Sequence, residues 1–154
     1  MNAKAAELRT LIVAPVGRDA AALAASLIQS GLDARACADL GHCSRELAAG
    51  AGCLLITEEG LATPTVDALI QTLDAQASWS ALPIVVLTAG AVDVRLDLLD
   101  RLGLSVGVVT LLERPLSQAR LVGAVRVALN ARRRQYQVRT LLAERALREQ
   151  MLRE

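Results

Sequence analysis

Leu82-Pro83-Ile84-Val85-Val86-Leu87-Thr88-Ala89 and Val108-Val109-Thr110-Leu111-Leu112-Glu113-Arg114-Pro115 decide the fold of this chain. Each is a short, apolar, β-branched run bounded by turn residues, the pattern of strands covered on both faces of a parallel sheet. Between them, Val94, Leu96, Leu98, Leu99 and Leu102 stand among charges over residues 93–103, which predicts a helix. Strand, helix and strand in so little chain form a right-handed crossover unit. Sheets of this kind bind ligands beyond the carboxyl ends of their strands, which makes Thr88 and Arg114 candidate site residues.

The rest of the chain repeats the same alternation. Residues 11–14 read as a first strand ended by Pro15 and Gly17. Residues 18–30 follow as a helix burying Leu23, Leu27 and Ile28, with Gly31 as its stop. A second short strand covers 33–38. Asp39 caps a helix carrying Leu40, Leu47 and Ala48, and Gly50 closes it. Residues 53–56 form a third strand, and a helix over about 65–76 buries Val66, Leu69, Ile70 and Leu73. Trp79 falls in the loop at 77–81. Pro115 opens the last helix, where a missing N–H does no harm. Leu55, Ile84, Val85 and Val86 are expected to be almost fully buried.

Two of these strand ends carry a family resemblance. "LPIVVLTA" resembles the fourth strand of a two-component receiver (response-regulator) domain, which ends in Ser or Thr followed by Ala. "VVTLLERP" resembles the fifth, where that family has Lys-Pro and this chain has Arg114-Pro115. The resemblance covers about residues 8–129. It implies an α/β, doubly wound (βα)5 flavodoxin-like fold with a parallel sheet in the order 2-1-3-4-5, here with an extended C-terminal helix.

A receiver transfers a phosphoryl group onto its own aspartate. An acidic pair after the first strand and the acceptor Asp after the third hold Mg²⁺, which demands hard oxygen ligands. A Lys offsets charge on the phosphoryl oxygens. Here the acidic pair is matched by Ala14 and Pro15, and the acceptor by Thr57, with Glu58 one residue further on. The Lys position holds Arg114, and the aromatic switch position holds Leu111. Only Thr88-Ala89 and the cation-Pro pair survive, so phosphoryl transfer is not expected, and neither a metal nor a cofactor is called for. Glu58 or Glu59 could reach Arg114 as an internal substitute for phosphate. The plainer expectation is that both are solvated loop residues.

Bulk properties narrow the other classes. The chain has 154 residues, no Phe, one Trp and one Tyr, so its core must be aliphatic. No apolar run approaches the ~20 residues of a membrane span. The first ten residues are polar rather than the apolar stretch of a secretory signal, and a cytoplasmic location is expected. Cys37, Cys43 and Cys53 lack metal-ligand spacing and read as reduced, buried thiols. His42 reads as an exposed helix-face residue rather than a ligand. No phosphate-binding glycine loop or nucleophile–histidine pair is present.

Residues 8–131 are expected to form the receiver-like domain and 132–154 a helical connector or coiled-coil extension. The latter stretch holds seven Arg and three Glu, which is +4 of a total of +1 and leaves −3 for the rest. Arg132-Arg133-Arg134 reads as a solvated helix face, and nucleic acid is not an expected partner because Glu144, Glu149 and Glu154 interrupt the charge. Leu121, Val122, Val125, Val127 and Leu129 are expected to pack on the sheet. Beyond them Val138, Leu141, Leu142, Leu147, Met151 and Leu152 need burial, and a second copy in a parallel homodimer is the simplest provider. Glu144–Arg148, Arg145–Glu149 and Glu149–Arg153 are helix-supporting pairs.

The functional expectation is a non-catalytic pseudo-receiver, the amino-terminal domain of a hybrid sensor histidine kinase. It regulates the attached kinase, or another signalling partner, through protein contacts. The alternatives are a stand-alone atypical response regulator and a small-ligand sensor using a crevice at Thr57, Thr88 and Arg114.

Overall fold

The computed structural model describes residues 3–62, 65–89, 100 and 109–153. The helix expected over 93–103 lies outside them. Five parallel strands form one sheet in the order β2-β1-β3-β4-β5: β1 Thr10–Val13, β2 Ala34–Cys37, β3 Cys53–Thr57, β4 Ile84–Thr88 and β5 Val109–Glu113. Helices α1 (Ala3–Ala6), α2 (Asp19–Gln29), α3 (Leu40–Leu47), α4 (Glu58–Leu61), α5 (Val66–Asp74) and α6 (Gln118–Arg153) complete the described elements. The register sets Ile12 beside Leu55 and Leu55 beside Val85.

Side chains alternate across the sheet and build two cores. Leu11, Val13, Leu54, Ile56, Ile84 and Val86 face Leu40 and Cys43 of α3 and Leu69 and Leu73 of α5. Ile12, Leu55, Val85 and Leu87 face Leu27 of α2 and Leu121, Val125 and Leu129 of α6. Every residue of β1, β3 and β4 is buried, which is why these strands read as unbroken apolar runs. Val85→Ala should therefore lower stability by about 1–3 kcal/mol through a cavity. Urea unfolding checks this, and an unchanged midpoint would contradict it.

Several expectations need correction. Strand β5 is not wholly buried: among the described residues it pairs with β4 alone, and Leu111 is exposed. Ile28 is exposed as well, because Leu27, a hundred degrees round α2, takes the place against the sheet. Helix α6 leaves Val127 in solvent while Leu121, Val122, Val125 and Leu129 are buried. Pro115 lies ahead of α6 rather than in its first turn. Ser117 caps the helix instead, its Oγ accepting from Arg120 N at 3.2 Å. The Arg114–Pro115 peptide is cis. Asp39 caps α3 as expected, with Oδ1 accepting from His42 N at 2.8 Å.

The largest correction concerns Arg132. It is not a solvated residue of a basic face but is 7% exposed, held against the segments that lead into β3 and β4. Its Nε donates to Ala51 O and the Tyr136 hydroxyl, and its Nη1 to Ser80 Oγ and Gln135 Oε1. The Tyr136 hydroxyl lies 2.9 Å from the carbonyls of both Glu7 and Ala51, and its one proton serves one at a time. Gln135 exchanges both hydrogen bonds with the Ala81 backbone. One turn on, Arg139 grips the Glu7 carboxylate with two 3.0 Å bonds. Both guanidiniums lie over the Trp79 and Tyr136 rings, 4.6–5.7 Å from their centroids. Helix α6 is therefore an anchored helix of 36 residues, about 54 Å long, whose last turns extend beyond the body.

Candidate functional site at the strand ends

The site is built from the ends of β1, β3, β4 and β5. Thr57, the last residue of β3, keeps an extended backbone, and its Oγ accepts from Gly60 N at 3.3 Å. That cap folds α4 directly over the strand end. Gly60 makes the approach feasible, since a Cβ there would stand 2.8 Å from Ile56 Cγ1 and 3.1 Å from the Val13 carbonyl. The turn thus closes over the end of β1 as well.

Glu58 and Glu59 therefore lie in α4 rather than in a loop, and of the two Glu58 is buried while Glu59 is partly exposed. Glu58 is 7% exposed, and its Oε1 accepts from Ala89 N, just past β4, at 3.0 Å. A part-buried bond from N–H to carboxylate is charge-assisted, worth about 1.5–3 kcal/mol at most. Glu59 Oε2 stands 3.6 Å from Arg114 Nη2, and Asp19 Oδ2 3.9 Å from Nη1. These longer pairs at a partly exposed cation contribute under about 1 kcal/mol each. The Arg114 backbone N–H donates to the Thr88 carbonyl at 2.8 Å, holding the end of β5 against β4. Thr57 and Thr88 are buried, as is Ala14, whereas Pro15 is exposed.

Asp19 was missed by sequence reasoning. It opens α2, and β1 and β5 are not sheet neighbours; it meets Arg114 only because α2 and α6 share one face of the sheet. An acidic residue in the first turn of the helix after β1 was the available signal.

Among the described residues the donor set does not suit Mg²⁺: Ala14 and Pro15 offer no side-chain oxygen, the Thr57 Oγ is engaged by Gly60, a Glu58 oxygen is engaged by Ala89, and the Asp19 and Glu59 carboxylates face the Arg114 cation. Beside Arg114 a cavity of about 450 Å³ opens between α2 and the start of α6, lined by Leu23, Leu87, Leu116 and Leu121 with Asp19 and Ser26. Among the described residues Arg114 lines this cavity, and Thr57 and Thr88 do not.

Elsewhere, His42 is half-buried rather than exposed. Its Nδ1 accepts from Ala38 N at 3.0 Å and its Nε2 lies 3.4 Å from Glu46, which sets the Nε2–H tautomer. Partial burial disfavours the Glu46 carboxylate, but hydrogen bonding from Arg9 and the charge of Arg35 outweigh it and hold the carboxyl below its ordinary value. A depressed carboxyl contributes stability that is complete above its unfolded pKa and lost as pH falls through the folded value. Glu46→Gln should therefore remove part of the acid-side fall in stability, measured by unfolding across the acid range. Cys37, Cys43 and Cys53 are free and buried, and burial pushes the Cys53 thiol up to about 12.

No family model and no curated protein matches the chain. Solved structures do. A sensor protein from Polaromonas sp. JS666 aligns at 22% identity and TM-score 0.63, over 80% of this chain and 97% of its own. A response regulator receiver protein from Sinorhizobium medicae WSM419 aligns at 21% identity and TM-score 0.58, over 82% and 97%. A fusion carrying the yeast Spc42 trimeric coiled coil aligns at 16% identity and TM-score 0.64, over 94% and 91%. With the strand order β2-β1-β3-β4-β5, the surrounding helices and these neighbours, the chain has the fold of the response-regulator receiver domains.

Proposed function

We propose that this chain is a non-catalytic receiver-fold module of a bacterial two-component system whose strand-end site is filled by its own side chains. The observation that carries the reading is the buried Glu58 carboxylate on the Ala89 N–H, at the strand end where the resemblance places a phosphoryl group. Glu59 and Asp19 neutralise Arg114 beside it. A site so arranged holds one conformation without a phosphate, and Ala14, Pro15 and Thr57 leave it no means of acquiring one. The module then acts in the cytoplasm through contacts, as a homodimer joined along its C-terminal helix and coupled to an attached or partner histidine kinase. A small-ligand sensor is the second reading, favoured by the cavity that Arg114 lines.

Mg²⁺ with acetyl phosphate should leave the protein unmodified by intact-mass spectrometry. Glu58→Ala, which frees the Ala89 N–H, should remain equally unmodified. A phosphate adduct on Thr57 or Glu58 would overturn the reading.

A further inference from the structure

Helix α6 has two long faces. One meets the body through Leu121, Val125, Ala128, Leu129 and Arg132, all buried. The other carries Ala124, Val127, Ala131, Val138, Leu141 and Leu152, and Arg134, Arg145 and Arg148 complete an alternation of three and four residues over its length. Three- and four-residue steps keep one stripe on one side of a helix. Val127 is 71% exposed, Val138 46%, Leu141 63% and Leu152 81%. Leu147 lies about a third of a turn from the stripe, and Met151 flanks it.

The stripe does not begin where the rod leaves the body. It starts at Ala124, on the part of α6 that packs on the sheet, and Val127 points to solvent there because the body occupies the opposite face. We infer that this whole stripe is a self-association seam, along which a second copy of the chain lies parallel and in register from Ala124 to Leu152. The inference rests on the homodimer reading above and extends it from the free rod onto the body.

Three features point to a second copy as the occupant. The heptad spacing of the stripe is matched by the same spacing on another α6. A parallel, in-register pair sets Arg145 beside Glu144 of the partner subunit and Arg148 beside Glu149 of the partner subunit, so two of the three seam arginines gain a carboxylate. Along the body, Ala124 and Ala131 are small, and the space over Gly123 is open, with nothing within 4 Å of an added Cβ. The two rods can thus approach closely while the bodies lie outward on their far sides.

Same-residue disulfides test this in the full chain. Equivalent seam positions of a parallel pair fall within the Cα separation a disulfide allows, about 4.4–6.8 Å. Val127→Cys and Val138→Cys should each form a covalent dimer under mild oxidation. Arg133→Cys, off the seam, and the parent chain with its buried cysteines should not. An antiparallel pair can bring at most one of the two positions onto its own copy. Val127→Glu should weaken the dimer at least about tenfold by light scattering, the scale of one desolvated charge. A link at 138 alone with Val127→Glu neutral would overturn the extension and leave the homodimer. A monomeric parent chain would overturn both.

Discussion

Arg132→Ala is expected to destabilise the protein by about 3 kcal/mol, with Arg133→Ala next to it within about 0.5 kcal/mol. The two arginines are adjacent in sequence and differ only in what surrounds them. Arg133 is exposed and bonds its own helix at Asn130 Oδ1. Arg132 donates to four oxygens from three parts of the chain at 2.7–3.1 Å. Truncation leaves Ser80 Oγ and Gln135 Oε1 without their charged donor and removes a cation from the Trp79 and Tyr136 rings. Hydrogen bonds to charged groups contribute about 1.5–3 kcal/mol and a desolvated cation–π contact about 2. These do not add, since all belong to one group, and dehydrating the guanidinium opposes them. Arg132→Lys should recover only part of the loss, because an ammonium cannot span the same fork of acceptors. Urea unfolding followed by Trp79 emission reads both the stability and the integrity of the cluster. A loss no larger than that of Arg133→Ala would show that burial there is incidental.

Gly52→Ala is expected to cost about 3 kcal/mol, at the upper end of overpacking, while the same change at Gly123 should gain about 0.5–1 kcal/mol. A Cβ at Gly52 would stand 2.5 Å from Leu129 Cδ2, 2.9 Å from Leu8 Cα and 3.0 Å from Leu8 C. The leucine tip can turn aside, but the Leu8 backbone leads into β1, and Gly52 N is itself bonded to Arg9 O at 2.8 Å. Relief therefore requires moving β1 against β3 or lifting α6 from the sheet. Gly123 is exposed in a helix interior, where alanine removes backbone freedom from the unfolded chain. Unfolding of the two variants under one condition gives opposite signs; equal signs would mean the β1–α6 contact at Gly52 is loose.

Much of the fold was legible because its signals are one-dimensional. The runs at 84–87 and 53–56 are apolar at every position since both sheet faces are covered, and that needs no knowledge of the partners. Gly31 and Gly50 close their helices with φ of +83° and +107°, a preference carried by the residue itself. Asp39 caps α3 for an equally local reason. Failures began where a residue's surroundings come from distant chain. Ile28 and Val127 are apolar and lie near a buried stripe, yet a rotation of about one residue places each in solvent. The edge position of β5 follows from sheet order and not from its composition.

The candidate site divides in the same way. That Ala14, Pro15 and Thr57 supply no carboxylates was determined by the sequence, because side-chain chemistry is a property of each residue. That Glu58 reaches the Ala89 N–H was decided only by the tertiary structure, where the Thr57 cap and the space left by Gly60 fold α4 across two strand ends. Arg132 makes the point most directly. Within the run Arg132-Arg133-Arg134 nothing distinguishes it, and it is buried because the segments leading into β3 and β4 and two rings converge on that one turn of α6. Whether a charge is solvated or buried depends on the partners that folding brings to it, and those partners lie 52 and 81 residues away along the chain.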